Sequence, residues 1–376
     1  MQYSIEISKV IEGALKQDKK KVINYTNLLI EKLEDNGDMK TVKKLRRIIN
    51  SYNESTLSPM DSNYISHIPV DNESRSLLAD IIYPDENDID IILTKDNEND
   101  IKQFIENYKM ADVLSEAGID IANTLLLYGP PGCGKTKSAY YIAREMNLPL
   151  IIARLDSMIS SYLGTTAKNI RYLFEFAQRQ PCVLFLDEFD ALAKARDDAN
   201  ELGELKRVVN SLLQNIDALS NGSIMIAATN HEKLLDPAVW RRFDYKIEIG
   251  LPEEESIERM INIFLKDLYK FSKKENKQLA NIMKGLSGAE IEEIITKELR
   301  NAIVHNKTID INNVFIKVLK KKDIIESTND RDNQKHAINY LLYNCEYFTK
   351  QDVANILGLS RSTVYSMIRE GGNIDG

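Results

Sequence analysis

The segment from Gly129 to Thr136 reads GPPGCGKT, a glycine followed by four residues and then Gly-Lys-Thr. It comes directly after the apolar run TLLLY and directly before the helical pattern KSAYYIA. Glycines in such a loop let backbone N–H groups converge on a phosphate, and the start of the next helix adds positive potential. The segment therefore predicts a strand, a phosphate-binding loop and a helix in succession, which restricts the chain to an α/β fold.

The same loop predicts which residues hold a nucleotide and its metal ion. Lys135 is expected to contact the β- and γ-phosphates of ATP, and the Thr136 hydroxyl to hold Mg²⁺. We interpret Cys133 as a residue that the loop tolerates without a chemical role, rather than as a redox switch. The other residues expected to surround the phosphates are Gly129, Pro130, Pro131, Gly132, Cys133, Gly134 and Lys137.

Short apolar runs alternate with helical patterns through the middle of the chain. The runs are TLLLYG, PLIIARL, CVLFLD, SIMIAATN and YKIEIGL. Continuous apolar strands separated by helices predict a parallel sheet covered on both faces. After Pro252 only helical patterns remain, which predicts a helical lid.

The predicted fold class is α/β, a P-loop sheet with a helical lid and all-α pieces at both ends. We expect four parts: an N-terminal helical unit with a linker at 1–75, the α/β domain at 76–251, the lid at 252–330 and a helix-turn-helix at 331–376.

Composition excludes several classes of protein. Of the residues, 43% are hydrophobic and 28% charged, as in a folded soluble protein, and the net charge of −8 argues against a nucleic-acid binder as a whole. The three cysteines have no metal-ligand spacing, which favours a reducing compartment. The sequence has no apolar run of about 18 residues and no secretory signal, so we expect a cytoplasmic protein without membrane attachment.

Polar residues follow two further apolar runs. Asp187 and Glu188 come directly after CVLFL, and Asn230 ends SIMIAATN. The carboxyl ends of parallel strands are where ligands bind in open α/β sheets. We expect Asp187 to join the Mg²⁺ site, Glu188 to orient and deprotonate the attacking water, and Asn230 to position the same water. The alternative is that Glu188 or Asp190 only caps the next helix.

The first 50 residues predict a helical hairpin or a three-helix unit. Val22, Tyr25, Leu28 and Leu33 recur at helical spacing, and the pattern resumes after EDNGD. Two readings remain open, a small helical domain that packs on its own core and a recruitment module for a partner. Residues 51–75 are polar and aperiodic, which predicts a linker.

Five motifs together resemble the AAA family of ATPases, and in particular ring-forming bacterial members. They are GPPGCGKT, LFLDEFDAL, IAATN, LDPAVWRRFD and LSGAEI, in the order and spacing of that family. The resemblance implies ATP hydrolysis in a ring, usually a hexamer, with ATP between subunits. It implies that Arg241 and Arg242 are arginine fingers that reach a neighbour's nucleotide. It also implies that Gly288 and Ala289 belong to a lid turn near the adenine.

The segment SSYLGTT at 160–166 places an aromatic and an aliphatic residue among small polar ones. In the family that it resembles, an aromatic-hydrophobic-glycine triplet here lines the central pore and grips a threaded polypeptide. The resemblance therefore implies that Tyr162 and Leu163 contact a protein client. The alternative is that Tyr162 packs on its own subunit.

The C-terminal segment YFTKQDVANILGLSRSTVYSMIREGG resembles a helix-turn-helix. Ala354, Gly358 and Val364 fall at its small, turn and core positions, with Val353, Ile356, Leu357, Leu359 and Ile368 completing the core. Arg361, Ser362, Thr363, Tyr365 and Arg369 would face solvent. Residues 349–370 therefore predict either a DNA-binding module or a protein-docking module.

These features favour an ATPase that remodels, unfolds or threads a protein client. Bacterial ATPases that resemble this chain are often paired with a subtilisin-like protease. The resemblance therefore implies a partner protease as one possibility. The rival hypothesis is a DNA-bound, ATP-controlled switch. An inactive scaffold is disfavoured because Lys135, Asp187, Glu188 and Arg242 are all present.

Overall fold

The computed structural model describes residues 3–16, 18–54, 68–71, 75–84, 91–158, 163–193, 202–219, 223–266, 268–328 and 330–371. The chain divides into two units. The first comprises residues 1–91, 95–129 and 135–249, and the second comprises 92–94, 130–134 and 250–376.

A sheet forms the centre of the first unit. Its strands within the described residues are β1 Ala79–Ile82, β2 Thr124–Tyr128, β3 Leu150–Ala153, β4 Val183–Leu186, β5 Ile224–Thr229 and β6 Tyr245–Glu248. They lie in the order β1-β3-β4-β5-β2-β6. Strands β2 to β6 are parallel, as predicted.

Strand β1 was not predicted. It runs antiparallel to β3 at the edge of the sheet, with Ala79 opposite Ala153 and Ile82 opposite Leu150. Three of its four residues are only half-buried. An edge strand needs no continuous apolar run, so the sequence carries no strong signal for it.

Helices cover both faces of this sheet. In the described part of the unit they are α1 Ser4–Leu15, α2 Lys19–Asp35, α3 Met39–Glu54, α4 Lys95–Lys109, α5 Ala111–Glu116, α6 Lys135–Glu145, α7 Leu155–Met158, α8 Leu163–Gln178, α9 Asp190–Ala193, α10 Leu202–Asp217 and α11 Pro237–Trp240. Leu184 and Met225 share an apolar cluster with Phe174 of α8 and Leu212 of α10. Phe185, which points to the other face, is also fully buried.

The N-terminal segment forms three helices rather than a simple hairpin. Helix α3 ends at Glu54, so it enters the segment that was predicted to be linker. Ile30, Leu33 and Val42 form a small apolar cluster with partly buried neighbours from the same helices. This cluster gives the three helices a core of their own.

The second unit is helical in its described residues after Gly250. Its helices are α12 Glu254–Phe264, α13 Lys273–Met283, α14 Gly288–Val304, α15 Ile311–Lys321, α16 Arg331–Asn339, α17 Lys350–Leu357 and α18 Arg361–Gly371, with a π-helical turn at Tyr340–Asn344. Helices α13, α14 and α17 each begin with a capping box, led by Ser272, Ser287 and Thr349. These boxes satisfy N–H groups that would otherwise lack partners at the helix starts.

The last two helices share their core with the lid helices. Val353 and Val364 belong to the same apolar cluster as Leu279 and Ile295. Lys274 Nζ also lies 2.7 Å from Asp352 Oδ1. Among the predicted core residues Leu359 and Ile368 are only half-buried, whereas Met367, which was not predicted, is buried.

Within the described ranges, none of the helices combines the length and the apolar character that a membrane span requires.

Candidate nucleotide-binding site

The loop between β2 and α6 has positive φ at three glycines, Gly129, Gly132 and Gly134, and at two of them a side chain would also clash. Gly129 has φ of 134°, and a Cβ atom there would lie 2.4 Å from the Ile249 carbonyl oxygen. Gly132 has φ of 74°, and its Cβ would lie 2.9 Å from Ser287 Oγ. The glycines of the motif are therefore required by geometry, which is what a phosphate cradle needs.

Lys135 begins helix α6, and its ammonium group is held at the loop. Its side chain is buried, and Nζ donates a hydrogen bond of 2.8 Å to the Gly129 carbonyl oxygen. A buried ammonium group beside a loop of backbone N–H groups creates a positive site for an anion. Of the other predicted loop residues, Pro130, Pro131 and Lys137 are exposed, Gly134 is half-buried and Cys133 is buried.

Thr136 and Asp187, the two residues predicted to bind the metal ion, lie next to each other. The Thr136 hydroxyl donates to Asp187 Oδ2 at 2.8 Å. In the described part of the chain there is no cluster of three His, Cys, Asp or Glu side chains that could enclose a metal ion. Mg²⁺ takes few protein ligands and completes its shell with water and phosphate. One hydroxyl beside one carboxylate therefore fits Mg²⁺ that arrives with a nucleotide.

Glu188 has a strained backbone. Its φ is 50°, in the left-handed region that residues other than glycine, asparagine and aspartate rarely adopt. Its N–H donates to Asp187 Oδ1 at 2.9 Å, and its carbonyl accepts from the Ala191 N–H at 2.8 Å. Such strain is typical of functional sites. The residue is exposed, so its carboxylate can reach a substrate.

Asp190 has a structural role that differs from that of Glu188. It is the first residue of α9, and its Oδ1 accepts a hydrogen bond of 2.9 Å from the Thr229 hydroxyl at the end of β5. The Thr229 hydroxyl also accepts from the His231 N–H at 3.0 Å. This pair ties the ends of β4 and β5 together, and it places the half-buried Asn230 at the same edge as Glu188. Sequence reasoning missed the role of Thr229, because its partner is only brought close by the sheet.

Tyr140 of α6 is a further neighbour of Asp187 that the sequence did not reveal. Burial raises the pKa of Tyr140, and the nearby carboxylates of Asp187 and Asp80 raise it further. Its hydroxyl therefore stays protonated and can donate a hydrogen bond at this edge.

Arg241 and Arg242 lie at the opposite edge of the sheet. Both are exposed, and Arg242 Nη2 lies 3.1 Å from Asp217 Oδ2. The Arg242 carbonyl is 3.0 Å from the hydroxyl of Thr124, which is the first residue of β2. The phosphate loop follows the other end of β2, roughly 13 Å of strand away. The structure therefore does not bring the arginine pair to the chain's own phosphate loop.

A hydrogen-bond network holds the arginine segment in place. Asp244 Oδ2 accepts from the N–H of Asn123 at 3.0 Å and from the N–H of Thr124 at 3.1 Å. The Thr124 hydroxyl lies 2.8 Å from the same oxygen. The backbone that carries Arg241 and Arg242 is thus fixed to β2.

The start of α14 lies against the phosphate loop. The Ala289 N–H donates to the Gly132 carbonyl at 3.0 Å, and a Cβ atom at Gly288 would lie 3.4 Å from the same oxygen. The predicted pair Gly288 and Ala289 is therefore next to the loop; its contact with adenine stays a prediction.

Tyr162 lies outside the described residues, so its predicted contact with a client stays a prediction. Leu163 is the first residue of α8, and its side chain lies outside the described part as well.

The geometry defines a P-loop nucleotide-binding protein, and similarity to known proteins narrows its class. Residues 125–251 match the model of the family "ATPase family associated with various cellular activities (AAA)". An uncharacterized AAA family ATPase of Sinorhizobium fredii is 42% identical over 236 residues, which cover 62% of this chain and 71% of the relative. A putative 26S proteasome regulatory subunit homolog of Methanocaldococcus jannaschii is 34% identical over 211 residues, 55% of each chain.

A proteasome-activating nucleotidase of Pyrococcus abyssi is 34% identical over 220 residues, 57% of this chain and 55% of the relative. The chain thus spans about half the length of these two proteasome-related relatives. The chain belongs to the AAA family of ATPases, and its enzymatic activity is ATP hydrolysis.

Proposed function

We propose that this ATPase assembles into a ring of identical subunits, a hexamer, and uses ATP hydrolysis to unfold or thread a protein client. The observation that carries the proposal is the position of the arginine pair. Arg241 and Arg242 are exposed at the edge opposite the chain's own phosphate loop. An arginine finger in that position can serve only a neighbouring subunit, and head-to-tail contacts of this kind close into rings.

Within each site, the chain's own residues have separate tasks. Lys135 and the backbone of the loop hold the phosphates, and Thr136 and Asp187 hold Mg²⁺. Mg²⁺, when bound, neutralises charge on the β- and γ-phosphates. Glu188 orients the attacking water and takes its proton, and Asn230 positions the same water.

The link to a protein client comes from relatives and from the segment around Tyr162. Two relatives are named for the proteasome, a protein-degrading assembly. In our proposal, Tyr162 and Leu163 line the ring's pore and grip the client through apolar contact. A partner protease, of which a subtilisin-like enzyme is one candidate, would then act on what the ring releases. Cys133, Cys182 and Cys345, which are all among the described residues, form no disulfide, and the cytoplasm is the proposed location.

The test is ATP-dependent unfolding of a fluorescent model client that carries an unstructured tail. The wild-type chain should abolish the fluorescence only with ATP, and Tyr162→Ala should hydrolyse ATP within about threefold of wild type without unfolding the client. Tyr162→Phe, the matched control, should keep most of the unfolding. Equal unfolding by wild type and Tyr162→Ala would reject the threading proposal.

DNA binding by the last two helices is the second candidate function. Two carboxylates whose negative charge would weaken DNA binding form ion pairs. Asp352 lies 2.7 Å from Lys274, and Glu370 lies 2.8 Å from Arg331. Lys350 Nζ lies 4.2 Å from the centre of the Tyr365 ring, and Arg361 lies on the same ring. The exposed face of α18 is therefore locally basic although the chain is acidic, and basic groups of this kind suit phosphates.

Full-length chain and a labelled DNA duplex test this second candidate. Arg361→Ala with Arg369→Ala should weaken binding and reduce its salt dependence, because fewer counterions are released. Arg300→Ala with Lys307→Ala, exposed cations elsewhere in the same unit, should leave binding unchanged. Binding that is absent or insensitive to salt would favour a protein-docking role for these helices.

A further inference from the structure

The outward face of helix α3 carries a row of positive charge. Lys40, Lys43, Lys44 and Arg47 are spaced three and four residues apart, and all four are exposed. Because successive residues of an α-helix turn by about 100°, side chains at this spacing share one face, here roughly 10 Å long. The helix contains no acidic residue from Met39 to Ile49. We call the four cations the basic stripe.

The basic stripe lies opposite the face by which α3 packs. Val42, Leu45 and Ile49 belong to the small apolar cluster that α3 shares with α2. Arg46, outside the stripe, lies 2.8 Å from Glu34 of α2. Among the residues that the structure describes, none of the four stripe cations forms such an ion pair. The stripe is therefore open to solvent and keeps its full positive charge.

This concentration of charge is unfavourable in the isolated chain. Like charges three or four residues apart on a helix repel each other and destabilise it. The chain as a whole has a net charge of −8, so a cationic surface is not a general property of the molecule. A row of cations on such a chain attracts an anionic partner, whose charge removes the repulsion.

Two exposed apolar side chains lie beside the basic stripe. Met39 is 51% exposed and Ile48 is 57% exposed. Their positions in the helix place them on opposite sides of the stripe, each about 90° from its centre. A partner that lies along α3 would therefore bury apolar surface on both sides of the charged contacts, which favours a protein segment over a purely ionic polymer.

Negative charge at one end limits the length of an anionic partner. Asp35 and Asp38 are exposed in the turn directly before α3. Burial raises the pKa of Glu31, and the carboxylates of Asp35 and Glu34 raise it further, which shows the negative potential of this region. DNA and anionic membranes carry charge over distances much longer than the stripe, so they would also meet these carboxylates. A short acidic segment of a protein would not.

The packing of α3 gives a second argument against a membrane. An amphipathic helix binds a bilayer by burying its apolar face among the lipids. The apolar face of α3 is already packed with α2 through Val42, Leu45 and Ile49. Only Met39 and Ile48 remain exposed beside the charges.

We propose that the basic stripe is a docking surface for an acidic helical segment of another protein, with carboxylates three and four residues apart. Carboxylates at that spacing share one face of their helix, so they match the cations of α3 one by one. Met39 and Ile48 would contact apolar residues on either side of those carboxylates. The proposal does not depend on ring formation or on Tyr162. It gives the N-terminal helices a role in recruiting a partner.

Binding of a fluorescent peptide to the full-length chain tests the proposal. The peptide is an alanine-based helix with four glutamates at the spacing of the stripe. Lys43→Glu with Arg47→Glu should weaken its binding by about tenfold or more, and wild-type binding should weaken as salt is added. This double substitution places opposite charges three residues apart on α3, so the helix should stay folded and ATP turnover should stay unchanged.

Lys273→Glu with Lys277→Glu is the matched control, since it reverses two exposed charges at the same spacing on α13. This control should bind the peptide like wild type, and a peptide with glutamines in place of the glutamates should bind about tenfold more weakly or worse. Equal binding of the two peptides, or equal loss in the two double variants, would overturn the proposal. Tighter binding of a DNA duplex or of phosphatidylserine vesicles, lost in the stripe variant alone, would assign the stripe to those polyanions and overturn it as well.

Discussion

The two edges of the parallel sheet differ in how their polar groups are bonded. At the carboxyl edge, hydroxyl and carboxylate groups are paired, Thr136 with Asp187 at 2.8 Å and Thr229 with Asp190 at 2.9 Å. At the amino edge, the Asp244 carboxylate instead accepts from backbone N–H groups, those of Asn123 at 3.0 Å and Thr124 at 3.1 Å. The first edge positions side chains for chemistry, and the second fixes the backbone beside the arginine pair.

The bonds at the amino edge converge on the first residue of β2. The Thr124 hydroxyl lies 2.8 Å from Asp244 Oδ2 and 3.0 Å from the Arg242 carbonyl oxygen. This segment carries the arginine pair, which must keep a fixed direction to serve a neighbour. The hydrogen bonds of Asp244 and Thr124 therefore hold the backbone that the proposed chemistry requires to be rigid.

The largest expected effect is at the carboxyl edge. Glu188→Gln removes the proposed base but keeps its size, so ATP should bind while turnover falls by at least about a hundredfold. Lys135→Ala should fail at binding instead, because it removes the charge from the loop. Measurements of ATP turnover and of fluorescent-nucleotide binding distinguish the two variants. Glu253→Gln, which changes an exposed carboxylate elsewhere, is the control. Near-normal turnover in Glu188→Gln would show that the base is another residue.

The next effect concerns the arginine pair. Arg242→Ala and Glu188→Gln should each be nearly inactive alone. A working interface needs Glu188 from one subunit and Arg242 from its neighbour. In an equal, random mixture about a quarter of the interfaces would have both residues, so turnover should recover toward about a quarter of wild type. The recovery should vanish on dilution below the concentration at which rings form. Turnover that is independent of protein concentration would contradict action between subunits.

Local signals explain why the carboxyl edge was predictable. The five parallel strands and the residues that follow them are adjacent in sequence, since an apolar run is followed directly by Gly129, Asp187 or Asn230. The glycine spacing of the loop is likewise contained within eight residues. The fold class and the phosphate site could therefore be predicted without knowledge of any long-range contact.

Hydrogen bonds between distant residues were not predictable at either edge, for the same physical reason. Thr124 and Asp244 at the amino edge are 120 residues apart, and Thr229 and Asp190 at the carboxyl edge are 39 apart. These pairs meet only because the sheet places β2 between β5 and β6 and β5 beside β4. The burial of Tyr25 likewise depends on how α2 packs, which its helical spacing does not specify.

A moderate effect is expected at Asp244. Asp244→Ala leaves two backbone N–H groups without their acceptor, which should lower the free energy of unfolding by about 1–3 kcal/mol. Asp217→Ala removes only the exposed partner of Arg242 and should cost less than about 1 kcal/mol. Urea unfolding of both variants measures the difference. Equal stability of the two would mean that the hydrogen bonds of Asp244 contribute no more than an exposed ion pair does.

The smallest expected effect is a pH dependence confined to the N-terminal helices. Burial acts to raise the pKa of Glu12, but hydrogen bonds from Lys16 and Lys21 outweigh it and lower the pKa to about 2 from an ordinary value of 4.5. The unfolded chain therefore binds a proton at higher pH than the folded chain does. The contribution of Glu12 to stability is complete above pH 4.5 and is lost as the pH falls toward 2.

Hydrogen exchange in α1 and α2, corrected for the intrinsic rate, should accelerate over this range relative to exchange in β5. Glu12→Gln should remove most of the difference. If the wild type and Glu12→Gln show the same pH profile, the lysines around Glu12 do not stabilise its charged form, and α1 and α2 are held together by apolar contacts instead.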